Sequence, residues 1–598
     1  MNRFFYLLLC CTIFMNAGCA SAFAAKKPAK GITYKTVFTG VKDRNVLGLL
    51  KETSNLVRLE KTIPVSWVSL RHRAKEDEGK VLKVLKAFGY YDAKVTSKIH
   101  QKEKKVQVII EQGAPYKLNS YTVSYVGAGP SPVTPSNRRL GIKLQEPAVA
   151  ETIIDADEKL VSELANVGHP FATILYRQNQ INYQTKSIDP IVHVDQGPKV
   201  TFGALTIVGY DKVREQYVRN RLAWKEGDLF DQSKIDKARR TLIESRQFKG
   251  VEFIKPSQPD EKGALPITLK VAEAKFKTVE AGLGYNMDES FKVKVGWEHR
   301  NLTGRSDTLR TELSRSNLEL KGGIKHILPD VFSLKNTLLS SAEIEQEEAE
   351  AYKSTSLGAT SILERRFGNG FLVSGGVSGE AGRSERQNLK TDYQLVGLPL
   401  LLGLQRVANS LDPTRGFKTE ISLHPQIGNI GDRDYFMTTR ISQSVYVALD
   451  KARKVVVAAW GKVNFITGGN QISLPANKLL YAGGSGSVRG YRYQRLGPLD
   501  SSGDPTGGRS STQVGVEGRI KVHPKFSLVP FYEGANVRAD PTPNLKQDFL
   551  WGYGIGARYH LDFAPVRIDL AFPQKVRRVN GKRRDSRVNL YFSIGQAF

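Results

Sequence analysis

The sequence predicts a chain in two parts, α+β and then all-β. Three tandem strand–helix–helix–strand–strand modules come first, and a 16-stranded transmembrane β-barrel follows. Three observations predict this. Residues 32–275 carry an internal repeat with a period of about 80 residues. From residue 276 helical periodicity gives way to strict alternation, which runs to Phe598. The N-terminus has the form of an export signal, and no later apolar run is long enough for a membrane helix.

The N-terminal element is a signal. Arg3 precedes the uncharged run FFYLLLCCTIFMNAGCASAFAA, and Ala22-Phe23-Ala24 offers a small-residue cleavage site. Residues 1–25 are therefore expected to be a cleaved signal peptide. Cys10, Cys11 and Cys19 all lie inside it. The mature chain would have no disulfide, thiolate metal site or thiol nucleophile. The formal charge of +29 implies anionic surroundings. Export makes nucleic acid a poor partner, which leaves lipid phosphates and acidic proteins.

The repeats come next. Their sharpest marker is the closing strand: VQVIIEQGAPYKL from Val106, IVHVDQGPKVTF from Ile191, and ITLKVAEAKFKTV from Ile267. An acidic residue ends each strand, at Glu111, Asp195 and Glu273. Each unit opens on a strand that runs into a glycine: TYKTVFTG, YTVSYVGAG and ALTIVG. Two helical patterns follow. In the first unit Val81, Leu82, Val84 and Leu85 form an apolar stripe that Gly89 stops. Gly168–Ala172 and Arg246–Val251 occupy the matching corners of the other units. The modules span 32–116, 117–200 and 201–275. His169 and His193 are expected to be structural rather than metal ligands.

The barrel, 276–598, is read from alternation. Phe291, Val293, Val295 and Trp297 share one face, against Lys292, Lys294, Gly296 and Glu298. Trp551, Tyr553, Ile555, Ala557 and Tyr559 share another, against three glycines and Arg558. Val566, Ile568, Leu570 and Phe572 alternate with Arg567 and Asp569. A sandwich core would not accept repeated charges on its inner face, whereas a wet lumen inside a lipid-facing wall would. The chain ends LYFSIGQAF, with Leu590, Phe592, Ile594 and Phe598 on one face. An even strand count places 468–510 and 575–587 at the end away from the repeats.

The repeat order, the GYYDAKV corner and the exit after EQGAPY resemble the POTRA domain, a polypeptide-transport-associated module. POTRA sheets leave open edges, which serve either as spacers or for adding a partner's strand. Late in the barrel the sequence reads GGSGSVRGY. Val488, Arg489, Gly490 and Tyr491 resemble the VRG-aromatic motif of the BamA/TamA superfamily of outer-membrane insertases and transporters. That resemblance implies that the loop folds into the lumen and that Arg489 contacts the inner wall on the two following strands. The superfamily pattern Phe-x-Asp-x-Gly is met there by Phe531-x-Glu533-x-Ala535, with Glu and Ala substituted. Arg489 is expected to pair with Glu533, to stack near Phe531 and to have Glu517 as second acceptor. Phe592, Ile594 and Phe598 match a C-terminal assembly signal.

Three POTRA-like repeats most resemble the translocation and assembly module (TamA) branch of the superfamily. It implies residence in the outer membrane of a Gram-negative bacterium, with the POTRA domains in the periplasm. It also implies assembly of autotransporter-type β-barrel clients with a TamB-type inner-membrane-anchored partner, and a part in phospholipid transport. The physical route would be lateral opening between the first strand, about Lys277–Asn286, and the last, Val588–Phe598. The alternative is a two-partner-secretion-type transporter passing a β-helical client through the lumen. No enzyme motif, cofactor site or metal site is expected. The run KVRRVNGKRRDSR at 575–587 is either a contact for lipopolysaccharide phosphates through Arg577, Arg578, Arg583 and Arg584, or a solvated loop.

Overall fold

A computed structural model describes residues 31–594, except 128–129, 287–289, 388, 408, 410–411, 430–434, 470, 545, 547–548 and 561–564. The signal peptide and Phe598 lie outside the described residues. The chain divides into two compact units, and the division runs through the third repeat.

The first unit holds the first two modules. In the first, strand Lys35–Thr39 lies parallel to Lys105–Glu111, which pairs antiparallel with Lys94–His100. Helices Arg44–Thr53 and Trp67–Ala87 cover one face of that sheet, and a short helix, Asn55–Arg58, lies between them in the chain. The side chains of Asp43, Ser54 and Ser66 cap the three helices. Leu50, Leu70 and Leu85 pack on Val106 and Val108. The second module repeats this arrangement. Strand Thr122–Val126 is parallel to Ser187–Asp195, which pairs antiparallel with Thr173–Asn182. Helix Ala150–Ala165 buries Leu160 and Leu164. Inside it the Tyr121 hydroxyl donates to Asp157 at 2.6 Å, and Arg177 neutralises that carboxylate.

The third sheet orders Thr201–Val208, Ala264–Glu273, Phe248–Ile254. It explains two features of the repeat. Gly40 and Gly209 end their opening strands at φ +94° and +88°. A Cβ at either position would collide with a carbonyl of the closing strand, that of Ile110 or Val271, so glycine is required. The closing acid Glu273 accepts from the backbone amides of Asp211, Lys212 and Val213 at 2.8–2.9 Å. It therefore ties the end of one strand to the turn after another.

The second unit contains the barrel, a closed antiparallel ring from Lys277–Asn286 to Asn589–Ile594. Among the described residues the ring comprises seventeen strand segments rather than the sixteen strands expected. Leu389–Gly397 and Leu400–Val407 share the same two neighbours, Phe371–Arg386 and Gly416–Asn429. They occupy one place in the ring and are separated by Leu398-Pro399. Proline has no N–H for the ladder, and the strand is interrupted there. Phe291, Val293 and Val295 are exposed on the outer face. Lys292 and Lys294 face inward, where they meet Glu319 at 3.1 Å and Glu312 at 2.7 Å across the strands.

Turns 301–307 and 330–335 hold the part of the third module that belongs to this unit. The Arg214 amide donates to the Gly304 carbonyl at 2.9 Å. Asn301 donates to the Lys212 carbonyl at 3.0 Å, and Arg221 pairs with Asp330 at 2.8 Å while lying over the Tyr217 ring. Antiparallel alternation then puts 469–509 and 574–588 at the opposite end.

Candidate functional site

The connection between Val455–Gly468 and Ser510–His523 enters the ring rather than spreading over its rim. Bridges Leu480–Gly508, Ala482–Leu496 and Leu499–Pro505 fold it into a narrow ladder. Val488 is fully buried against Ala482, Leu496, Ala535 and Val537. This apolar anchor brings the next residue to the wall.

Arg489 is 7% exposed and is surrounded by three carboxylates from three strands. Its backbone amide donates to Glu533 Oε2 at 2.9 Å, and Nε donates to both oxygens of Glu533 at 3.1 Å. Nη2 closes the fork on Glu533 Oε1 and lies 3.4 Å from Glu517 Oε2. Nη1 donates to Asp569 Oδ2 at 3.2 Å. The guanidinium carbon stands 3.5 Å from the Phe531 ring centroid. A planar, permanently charged fork can serve all these acceptors at once, and an ammonium cannot. Arg519 holds Glu517 at 2.8 Å, and Arg558 holds Asp569 at 3.0 Å. Three arginines thus hydrogen-bond three carboxylates here, and Arg567 lies close enough to interact with Glu517 and Asp569 as well.

Gly490, at φ +113°, lies against the Phe572 carbonyl and Gly552. A Cβ on Gly552 would run into the Arg489 carbonyl. Two glycines, one on the loop and one on the wall, allow this close approach. Tyr491 is buried, and its hydroxyl donates to the Lys575 carbonyl at 2.9 Å.

The structure thus brings Arg489, Glu517, Phe531 and Glu533 together. It adds three residues that sequence reasoning did not assign. Asp569 was visible as a lumen-side acid in VRIDLAF, but nothing in the sequence tied it to a loop 80 residues earlier. The Tyr591 hydroxyl accepts from the Gly490 amide at 3.3 Å and donates to the Tyr491 carbonyl at 2.8 Å. Asn589 donates to the Gly490 carbonyl at 2.6 Å. The last strand therefore grips the loop directly, through the residues that alternate with Leu590 and Phe592. Phe592 packs its ring 5.9 Å from that of Tyr285 across the closure. Ile594 pairs by its backbone with Tyr285 and Val566, and Phe598 lies outside the described residues.

Three expectations change or gain content. Arg577 is not an outward contact. It pairs with Asp585 at 2.8 Å and donates to the carbonyls of Gly497 and Arg495 at 2.7 and 2.6 Å. The Arg584 carbonyl accepts from Arg495 at 3.1 Å, and its half-buried side chain lies against Gly503. Arg577 belongs to the loop's packing because bare backbone carbonyls inside the mouth need donors, and Arg584 belongs to it through its own carbonyl. His169 bonds the Gln196 carbonyl at 3.1 Å and His193 stacks on Tyr176. Among the described residues no group of three His, Cys, Asp or Glu side chains is placed to hold a metal ion.

A closed β-barrel with charged pairs inside and apolar residues outside has the form of a membrane-spanning barrel. Comparison with known proteins gives the family. An Omp85 superfamily domain matches residues 301–598, and a POTRA domain, described as a surface antigen variable number repeat, matches 200–274. The chain belongs to the Omp85 (BamA/TamA) superfamily. It is 24% identical over 538 residues to the outer membrane protein assembly factor BamA of Nitratidesulfovibrio vulgaris, covering 85% of this chain and 66% of that one. It is 23% identical over 391 residues to BamA of Neisseria meningitidis serogroup B, covering 60% and 48%. The chain thus spans about two thirds and about half of these relatives. The crystal structure of BamA from Haemophilus ducreyi lacking POTRA domains 1–3 superposes with a TM-score of 0.67 at 16% identity, covering 80% of this chain and 99% of that one. The protein resides in the outer membrane, with its POTRA region in the periplasm.

Proposed function

We propose that this chain assembles β-barrel proteins into the outer membrane by opening at its own seam. In this reading it has three POTRA modules and sixteen places in the ring. It is of the TamA type, works with a TamB-type inner-membrane-anchored partner on autotransporter-type clients, and takes part in phospholipid transport. One observation carries the route. The ring closes between its first and last strands, Lys277–Asn286 and Asn589–Ile594, where Tyr285 pairs with Ile594 and Asn286 with Ser593. Opening there would leave the backbone groups of both edges unpaired in lipid, which is unfavourable. A client strand would satisfy them, with the opened edge as its template.

The Arg489 cluster has a part in this. The loop docks on the inner wall and holds the last strand through Tyr591 and Asn589. It favours a route through the wall over one through the lumen, and so favours assembly over secretion of a β-helical client. The test is a seam lock, Asn286→Cys with Ser593→Cys, in a mature chain with no other cysteine. Oxidised, it should stop client assembly in proteoliposomes, and reductant should restore it. Normal assembly by the locked barrel would refute lateral opening. Crosslinked pull-down from native membranes separates the partner readings: an inner-membrane-anchored β-rich protein supports the TamA type, and a lone secreted substrate supports the alternative.

A further inference from the structure

Residues 574–588 join the last two strands at the end away from the POTRA modules. They do not form a slack loop. Arg578–Val579 and Lys582–Arg583 pair as a small antiparallel hairpin. The Arg577–Asp585 pair fastens its base, and Asp585 is 1% exposed. The Asn580 side chain fastens its tip to the Ser501 carbonyl at 2.9 Å. The segment's single acid is thereby committed to Arg577.

Five cations remain exposed: Lys575, Arg578, Lys582, Arg583 and Arg587. None of the five is in an ion pair among the described residues. Arg578 and Arg583 are direct cross-strand partners. Like charges placed opposite each other oppose strand pairing unless an anion lies between them.

The depth of the hairpin is marked independently. Tyr532 stacks on Trp551 at 4.8 Å and Phe549 on Trp551 at 5.3 Å, and Tyr553 stacks on Phe572 at 5.6 Å. These outward rings lie toward the same end of the barrel, and the Tyr532 hydroxyl donates to Gln574 at 3.3 Å. Aromatic girdles sit where hydrocarbon meets headgroup. Phe572 precedes Lys575 by three residues. The cations therefore begin just beyond the girdle, at the level of lipid phosphates.

We propose that this latched hairpin binds the phosphate groups of an anionic glycolipid in the outer leaflet, the lipid A moiety of lipopolysaccharide. Arg578 and Arg583 present two guanidinium forks to one phosphate, which an oxygen-rich dianion can satisfy together. Lys582 adds a third charge from the same turn. Because the hairpin connects the last two strands, the lipid would sit beside the seam, on the strand that also grips the lumen loop.

The test uses the full chain in nanodiscs. Binding is measured for bis-phosphorylated lipid A, for lipid A stripped of phosphate, and for inorganic phosphate, across a salt series. Wild type should prefer the phosphorylated lipid. Arg578→Gln with Lys582→Gln and Arg583→Gln should weaken that binding at least tenfold and flatten its salt dependence. Heat-modifiable migration on gels checks that the variant barrel is folded. Asp585→Asn, which leaves all five cations in place but frees the latch, should weaken binding several-fold. Equal binding of the two lipids, or an unaffected triple variant, overturns the site. An unaffected Asp585→Asn variant overturns the latched geometry, and equal affinity for inorganic phosphate overturns the lipid assignment.

Discussion

Replacing Arg489 by alanine removes the one cation that three strands share. Glu517 keeps Arg519 and Asp569 keeps Arg558, so those two carboxylates remain compensated. Glu533 does not. It is 4% exposed and, among the described residues, retains only the backbone amide of residue 489. A buried pair broken on one side costs about 3–5 kcal/mol. The surviving amide argues for the lower end, about 3 kcal/mol. A wet lumen, as the sequence suggests, would reduce this to about 1–2 kcal/mol, as for a charge-assisted hydrogen bond. The burial seen here restores the larger figure. At about 1.4 kcal/mol per tenfold, docking of the loop would weaken roughly a hundredfold. The barrel itself should stay folded, since its strand ladders do not pass through Arg489. Limited proteolysis of purified protein reads this directly: cleavage within 469–509 should accelerate strongly in Arg489→Ala, with the heat-modifiable barrel retained. Arg489→Lys should recover part of the protection, because one ammonium cannot fork onto Glu533 and reach Asp569 as well. Wild-type protection of both variants would refute the reasoning.

Four further outcomes follow from the same geometry. Gly552→Ala should free the loop as effectively as Arg489→Ala, since its Cβ would occupy the place of the Arg489 carbonyl; unchanged protease protection would count against the close approach. Tyr591→Phe removes both hydroxyl bonds to the loop backbone and should weaken docking by about 1–3 kcal/mol, visible as faster amide exchange around Gly490. Glu273→Ala strips an acceptor from three amides and should speed exchange at residues 211–213 in the intact chain. Burial alone would raise the pKa of Asp307, in the turn 301–307, but hydrogen bonds from His326 and Thr303 outweigh it and hold the carboxyl below its ordinary value. The stability it contributes is present above the unfolded value near ~4 and is lost as pH falls through the lower folded value. Exchange protection of that turn should fall on acidification in wild type and vary less with pH in Asp307→Asn.

Local patterns carry the modules and the wall. Alternation in FKVKVGW and VRIDLAF assigns outer and inner faces because a strand has period two. The opening glycines mark the repeat because Gly40 and Gly209 pass beneath the Ile110 and Val271 carbonyls, and of the closing acids Glu273 collects three amides of its own module. The motif around Arg489 and the acids of the next two strands are likewise legible, since neighbouring strands in an up-and-down barrel are neighbours in sequence. Three things needed the tertiary structure. Ring closure brings the last strands to the loop, so Asp569, Asn589 and Tyr591 join a site whose arginine lies 80 to 102 residues earlier. Proline at 399 divides a strand without displacing it, which composition cannot distinguish from a turn. The basic run 575–587 is uniform in sequence, yet folding sorts it: Arg577 turns inward to satisfy buried carbonyls and Asp585, while Arg578, Lys582 and Arg583 are left facing out. Charge is a property of the residue, but which solvent it meets is decided by its neighbours.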